Sequence, residues 1–177
     1  ASVYGAFLKK IKKTAQKELI LEPAIFEINS HSHEVYNEDS NLLIKKIEGD
    51  ILYLDPPYNA REYGANYHLL NTIAKYDNFT PKGKTGLRDY SKSAFCKKKE
   101  VEKSFDDLIK NANFKYIFLS YNNEGIMSSE TIKKILSNYG KYDLLTTEYQ
   151  RFRADKKENR NHKASSTTEY LHILEKL

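Results

Sequence analysis

Asp50-Ile51-Leu52-Tyr53-Leu54-Asp55-Pro56-Pro57-Tyr58-Asn59 is the stretch that decides how this chain is read. Ile51 to Leu54 is an uninterrupted apolar run, as expected of a strand buried on both faces. It stops at an acid followed by two prolines. Proline lacks the N–H that a sheet uses and fixes its own φ, so the chain leaves the sheet rigidly at this point. In an open α/β sheet, ligands sit outside the carboxyl ends of the strands. Asp55 and a neighbouring carbonyl then offer two acceptors to that crevice, suited to the two hydrogens of an exocyclic amine. Tyr58 adds a flat face on which a base can stack, worth about 1–3 kcal/mol. Two acceptors and a stacking ring describe a pocket for an extruded nucleobase that bears an amine.

Working outward, Asp39 or Ser40 can cap a helix carrying Leu43, Ile44 and Ile47. Further upstream, Tyr4, Phe7, Leu8, Ile11 and Ala15 follow helical spacing, and Ala24–Ile28 and Val35-Tyr36 read as short strands. Downstream, Tyr63, Tyr67, Leu70 and Ala74 predict one face of a helix, and residues 77 to 97 a loop rich in cations. Val101, Phe105, Leu108 and Ile109 predict the next helix, and Lys115 to Leu119 a second buried strand. Ser128 caps a helix with the stripe Ile132, Ile135, Leu136 and Tyr139, and Gly140 is expected to stop it. Tyr142–Thr147 and Thr168–Leu174 predict a closing antiparallel pair. Strands alternating with helices argue an α/β fold with a mostly parallel sheet and a terminal antiparallel hairpin.

The 177 residues suit one domain, 1–177, and not two. A hydrophobic share of 40% against 30% charged argues for a packed core and against disorder. The single cysteine, Cys96, excludes an internal disulfide and cysteine-rich zinc modules, and no metal-ligand spacing is present. His31 and His33 lack an obvious third ligand. No apolar run approaches the roughly 20 residues that span a bilayer, and no signal peptide opens the chain, so the expected setting is reducing and cytoplasmic, with no membrane partner. Twenty-nine Lys and Arg against 24 Asp and Glu give +5, compatible with a nucleic-acid partner.

Asp55-Pro56-Pro57-Tyr58 resembles the DPPY motif of the amino-methyltransferases, specifically the D12 (Dam-like) class of N6-adenine DNA methyltransferases. The flanking Asn66-Tyr67-His68-Leu69-Leu70 and the later Ser120-Tyr121-Asn122-Asn123-Glu124-Gly125 are similar to stretches of the adenine methylases of bacterial restriction–modification systems. The resemblance implies a Rossmann-like methyltransferase sheet and transfer of a methyl group from S-adenosylmethionine to adenine N6. The implied partners are double-stranded DNA with a flipped adenine and a restriction endonuclease, in a nucleoid-associated cytoplasmic setting. Asp55, Pro56, Pro57 and Tyr58 are the implied catalytic residues, and Asp39 stands where this family has an acid near the cofactor adenine. Asp55 is expected at the cofactor as well. Asp39 is equally read as the helix cap. Tyr149 or Phe152 would form the second wall of the base pocket, or else belong to the core.

Two basic clusters are expected to grip phosphate, as contacts that position DNA more than they read it. One is Arg151-Phe152-Arg153 through Lys163, with Arg151, Arg153, Lys156 and Lys157 as its DNA-binding residues. The other is the loop with Lys82, Lys84, Arg88, Lys92 and Lys97 to Lys99. A solvated loop is the alternative for each. His68 is assigned to packing or catalysis, and Cys96 is given no catalytic role. One departure from the family is plain: a glycine-rich cofactor loop of the FxGxG type is expected before the DPPY segment, and residues 1–54 hold only Gly5 and Gly49. The chain, which does not begin with Met, is therefore expected to be the carboxyl-terminal part of a methyltransferase without its first strand and glycine loop. By itself it should bind the cofactor weakly. The competing readings are a non-catalytic nucleic-acid-binding fragment and an RNA or protein methyltransferase.

Overall fold

In the computed structural model the described residues are 13–18, 20, 22, 30–150 and 166–177. Most of the helical stretch expected from Val3 to Ala15, the strand expected at Ala24–Ile28, and the cluster from Arg151 to Lys163 lie outside them. Lys13–Gln16 is a turn of 3-10 helix. Val35 and Tyr36 form no strand and are exposed, which corrects the short strand expected there.

Four strands form one sheet: β1 (Glu48–Leu54), β2 (Asn113–Asn122), β3 (Gly140–Gln150) and β4 (Ser166–Lys176), in the order β1-β2-β4-β3. β1 and β2 are parallel, with Leu54 opposite Leu119. β4 enters between β2 and β3 and is antiparallel to both, with His172 opposite Leu119 on one side and Leu144 on the other. Among the described residues only one of three pairings is parallel, so the expected mostly parallel sheet is corrected. The terminal hairpin is there, but its last strand pairs centrally and so contributes two antiparallel ladders.

The helices pack where their apolar stripes direct. α4 (Val101–Asn111) buries Val101, Phe105, Leu108 and Ile109, and α5 (Ser129–Ser137) buries Ile132 and Leu136. These join Ile117, Leu119 and Tyr121 of β2 and Leu174 of β4 in one core. Ser128 caps α5, its hydroxyl accepting the Thr131 amide at 3.1 Å. Gly140 does not end that helix, which closes at Asn138. A Cβ at residue 140 would stand 2.1 Å from the Glu175 carbonyl oxygen, so glycine is needed for the approach of β3 to β4. On the opposite face of the sheet Ile51, Tyr53 and Leu145 remain exposed at 63%, 61% and 57%. No described helix is long and apolar enough to cross a membrane.

The helix expected over Tyr63 to Ala74 is two pieces, α2 (Tyr63–Asn66) and α3 (His68–Lys75), broken at Tyr67. Gly64 and Asn66, both poor helix formers, occupy the first piece. Its expected apolar face is not buried: Tyr63, Tyr67 and Leu70 are all exposed. α1 (Ser40–Leu43) is a single turn that Asn41 fastens to α4, its amide donating to the Ser104 carbonyl and the Asp107 carboxylate.

Candidate active site

β1 and β2 run parallel, so both deliver their carboxyl ends to the same edge of the sheet. Asp55, Pro56 and Pro57 leave β1 there and line a cavity of about 260 Å³ with Ser40, Leu54, Phe95 and Phe105. A second, wider cavity of about 1010 Å³ shares Ser40, Pro57, Ser93 and Phe95 with it and extends past Asp39, Glu62 and Tyr63. The two form one cleft. Its floor is apolar, and carboxylates stand at its rim.

Tyr58 is held from beneath by the segment after β2. The Ile126 amide donates to the Tyr58 carbonyl at 2.9 Å. The Tyr58 ring meets the Tyr121 ring edge-on, with centroids 6.1 Å apart and planes at 76°. Tyr121 is buried, and its hydroxyl accepts the Met127 amide at 3.3 Å. Asn122 accepts the Glu124 amide, while Asn123 and Thr168 exchange backbone and side-chain bonds that tie this turn to β4. Gly125 lets the turn close, since a Cβ there would stand 2.0 Å from the Tyr121 ring. Burial, and then the Glu169 carboxylate, push the Tyr58 phenol up, so it stays neutral and aromatic stacking is its available chemistry.

Asp39 does cap α1: its Oδ1 accepts the amides of Asn41 at 2.9 Å and Leu42 at 3.3 Å. Both bonds fall on one oxygen, which leaves Oδ2 able to accept a donor in the cleft. The cap and the cleft roles are therefore compatible. Asp39 and Asp55 stand on one continuous cleft.

The basic loop is corrected in part. Arg88 is nearly buried, donates to Asp77 at 2.8 Å and lies 4.1 Å over the Phe79 ring. Lys82 pairs with Asp89 and Lys97 with Glu100. Arg88, being buried, needs its partner and is used within the loop, whereas the Lys82 and Lys97 pairs are exposed surface pairs. Lys84, Lys92, Lys98 and Lys99 make no ion pair with a described residue. The segment is not a plain loop either: Lys82 and Leu87 bridge a tight turn in which Gly83 and Gly86 take φ of 69° and 65°, where glycine is at ease. Arg151, Phe152, Arg153, Lys156 and Lys157 lie outside the described residues. Tyr149 is exposed near the end of β3. His68 is buried at the start of α3 and Cys96 is buried beside the cleft.

Sequence reasoning missed Glu62, Tyr121, Gly125 and Ile126. The only signal for Tyr121 and Gly125 was their place in the Ser120–Gly125 stretch, and nothing local marked Glu62 or Ile126.

The type II methyltransferase M.NlaIII of Neisseria lactamica is 69% identical over 176 residues, covering 99% of this chain and 53% of that protein. The type II methyltransferase M.FokI of Planomicrobium okeanokoites is 44% identical, over 99% of this chain and 27% of its own length. The type II methyltransferase M.CviAII of Paramecium bursaria Chlorella virus 1 is 43% identical, over 86% of this chain and 46% of its own length. The chain thus spans about half, or less, of these relatives. No solved structure matches it. The family described as D12 class N6 adenine-specific DNA methyltransferase matches residues 1–135, and the chain belongs to that family.

Proposed function

We propose that residues 1–177 are one part of a catalytic domain that methylates adenine N6 in double-stranded DNA, within a restriction–modification system that includes a partner endonuclease. The observation that carries this reading is the position of Asp55, Pro56 and Pro57 at the carboxyl end of β1, on the wall of an apolar cavity, with the Tyr58 ring fixed beside them. Family membership and the names of the relatives support it.

The cleft fits the nucleoside half of S-adenosylmethionine. Its slot of Leu54, Phe95, Phe105 and Leu108 suits an adenine ring, and the open Oδ2 of Asp39 suits a ribose hydroxyl. When bound, the cofactor supplies an electrophilic methyl carbon on its sulfonium. The chain does the rest. The Asp55 carboxylate and the Pro56 carbonyl accept the two N6 hydrogens of an adenine turned out of the duplex, and Tyr58 stacks on its ring. Those bonds turn the amine's lone pair, otherwise shared with the ring, toward the methyl carbon. Orientation and fixed acceptors provide the acceleration. Asp55 is exposed on its outer side, so the proton lost from N6 can pass to water there. Unpaired lysines of the 77–99 loop and the cluster Arg151, Arg153, Lys156 and Lys157 grip phosphate.

In the complete protein, Asp55→Ala is expected to abolish methyl transfer to DNA and leave duplex affinity within about threefold, because its acceptor acts on the amine and not on the backbone. Transfer of labelled methyl groups is the assay. Turnover near the parental rate in Asp55→Ala refutes the proposal.

A further inference from the structure

Glu62 is the residue immediately before α2, and its side chain makes no cap there. Its carboxylate accepts the Ser93 amide at 2.9 Å, and its charge acts on the neighbouring Cys96 thiol. Ser93 in turn accepts the Phe95 amide at 3.1 Å and opens a 3-10 turn, Ala94–Cys96, that buries Phe95 and Cys96. Phe95 and Ser93 line both halves of the cleft, facing Ser40 and the Pro57 end of β1. A second contact joins the same two segments: a Cβ at Gly64 would stand 2.6 Å from the Cβ of Tyr90, so the backbone of α2 lies directly on residue 90.

We propose that Glu62 is a positioning residue, a latch that holds segment 90–96 against α2 and thereby sets the width of the cofactor cleft. The proposal rests on the reading of that cleft as the S-adenosylmethionine site. The Glu62–Ser93 bond spans 31 residues of chain and closes the loop between α2 and the cleft wall. Without the carboxylate, the Ser93 amide loses its acceptor and the Cys96 thiol loses the charge beside it. The turn that carries Phe95 then keeps its internal bonds but loses the Ser93 bond that fastens it to α2. The latch acts on cofactor binding, while Asp55 and Tyr58 act on the base, so affinity for the cofactor and turnover at saturation should separate.

The test uses the complete protein. Glu62→Ala is expected to raise the Kd for S-adenosylmethionine about tenfold and to keep kcat within about threefold. Glu62→Gln, whose amide oxygen still accepts the Ser93 amide, should return Kd to within about threefold of the parent. A second measurement needs no cofactor: alkylation of Cys96 by a maleimide, followed at its own peptide by mass spectrometry. In the parent it is slow, since burial, and then the nearby Glu62 carboxylate, push the thiol up to about 11. Glu62→Ala should speed it at least about tenfold, and saturating cofactor should slow it again. Gly64→Ala, which forces α2 off Tyr90, is the independent variant and should shift both measurements in the same direction.

Parental alkylation in both Glu62→Ala and Gly64→Ala overturns the latch. So does fast alkylation with a parental Kd, or a Kd that Glu62→Gln fails to restore. Asp55→Ala separates this idea from the reading beneath it: alkylation there should be parental while methyl transfer is lost. Turnover retained in Asp55→Ala refutes the assigned chemistry and leaves the latch to be decided by alkylation.

Discussion

Gly125→Ala is the substitution whose cost the site geometry fixes most tightly. A β-carbon at residue 125 would stand 2.0 Å from Cε1 and 2.7 Å from Cζ of Tyr121. The ring has nowhere to go. It is 1% exposed, its hydroxyl holds the Met127 amide, and its edge lies against Tyr58. Overpacking of this kind costs about 1–3 kcal/mol. Displacing the aromatic pair forfeits about 0.5–1.5 kcal/mol more. Urea unfolding should therefore register a loss of about 2–3 kcal/mol in Gly125→Ala, with an unchanged m-value. The backbone of Gly125 is not at positive φ, so contact with the ring is the whole of the strain. Tyr121→Leu removes the offending atoms. In that background Gly125→Ala should cost nothing, or gain about 0.4–1 kcal/mol by narrowing the unfolded ensemble. The cycle then couples by about 2 kcal/mol or more, against the roughly 0.3–0.5 kcal/mol scatter of independent sites. Additive effects would refute the claim that Tyr121 is what requires glycine at 125.

His172 is fully buried between β2 and β3, bonded through Nδ1 to the Tyr142 hydroxyl, and burial pushes it down to about 4. The unfolded chain takes up this proton near pH 6.5, so stability is full above that value and falls as pH drops toward 4, by up to about 3 kcal/mol. Urea midpoints at several pH values should show that fall in the parent and less of it in His172→Gln. Lys176 donates to the carbonyls of Ile109, Lys110 and Ala112 at the end of α4, and Lys176→Met should cost about 1–3 kcal/mol in the same assay. Tyr58→Phe should keep most methyl transfer, and Tyr58→Ala should lose about tenfold or more, because the ring stacks and the hydroxyl does not take part; equal losses would contradict stacking.

Local chemistry is what the sequence announced. All four described strands are centred on apolar or alternating runs, and Asp39 and Ser128 cap their helices because a short acceptor preceding a periodic run has few other uses. Asp55-Pro56-Pro57-Tyr58 was legible for the same reason: an acid and two prolines at the end of an apolar strand make a special exit, even though the burial expected on both faces of that strand is corrected by the exposure of Ile51 and Tyr53. Contacts between distant segments were not legible. The entry of β4 between β2 and β3 is decided by which ladder it completes, and neither strand carries a mark of its neighbour. Gly140 looked like a helix stop, yet its reason lies 35 residues on, in the Glu175 carbonyl. Tyr63 and Tyr67 had helical spacing, and spacing alone does not supply the surface that would cover them.

Within the cleft the same division separates two kinds of residue. Those that would touch the reacting base, Asp55 to Tyr58, declare themselves by their own chemistry. Those that hold the walls in place, Glu62 against Ser93 and Gly125 against Tyr121, do so through partners that only the folded chain brings near. Glutamate and glycine are common residues, and neither is informative at its position until its partner is known. A reading confined to motifs will therefore find the chemistry of such a site and miss what sets its width. That is why the experiments on Glu62 and Gly125 bear on the folded arrangement, whereas those on Asp55 and Tyr58 test the motif.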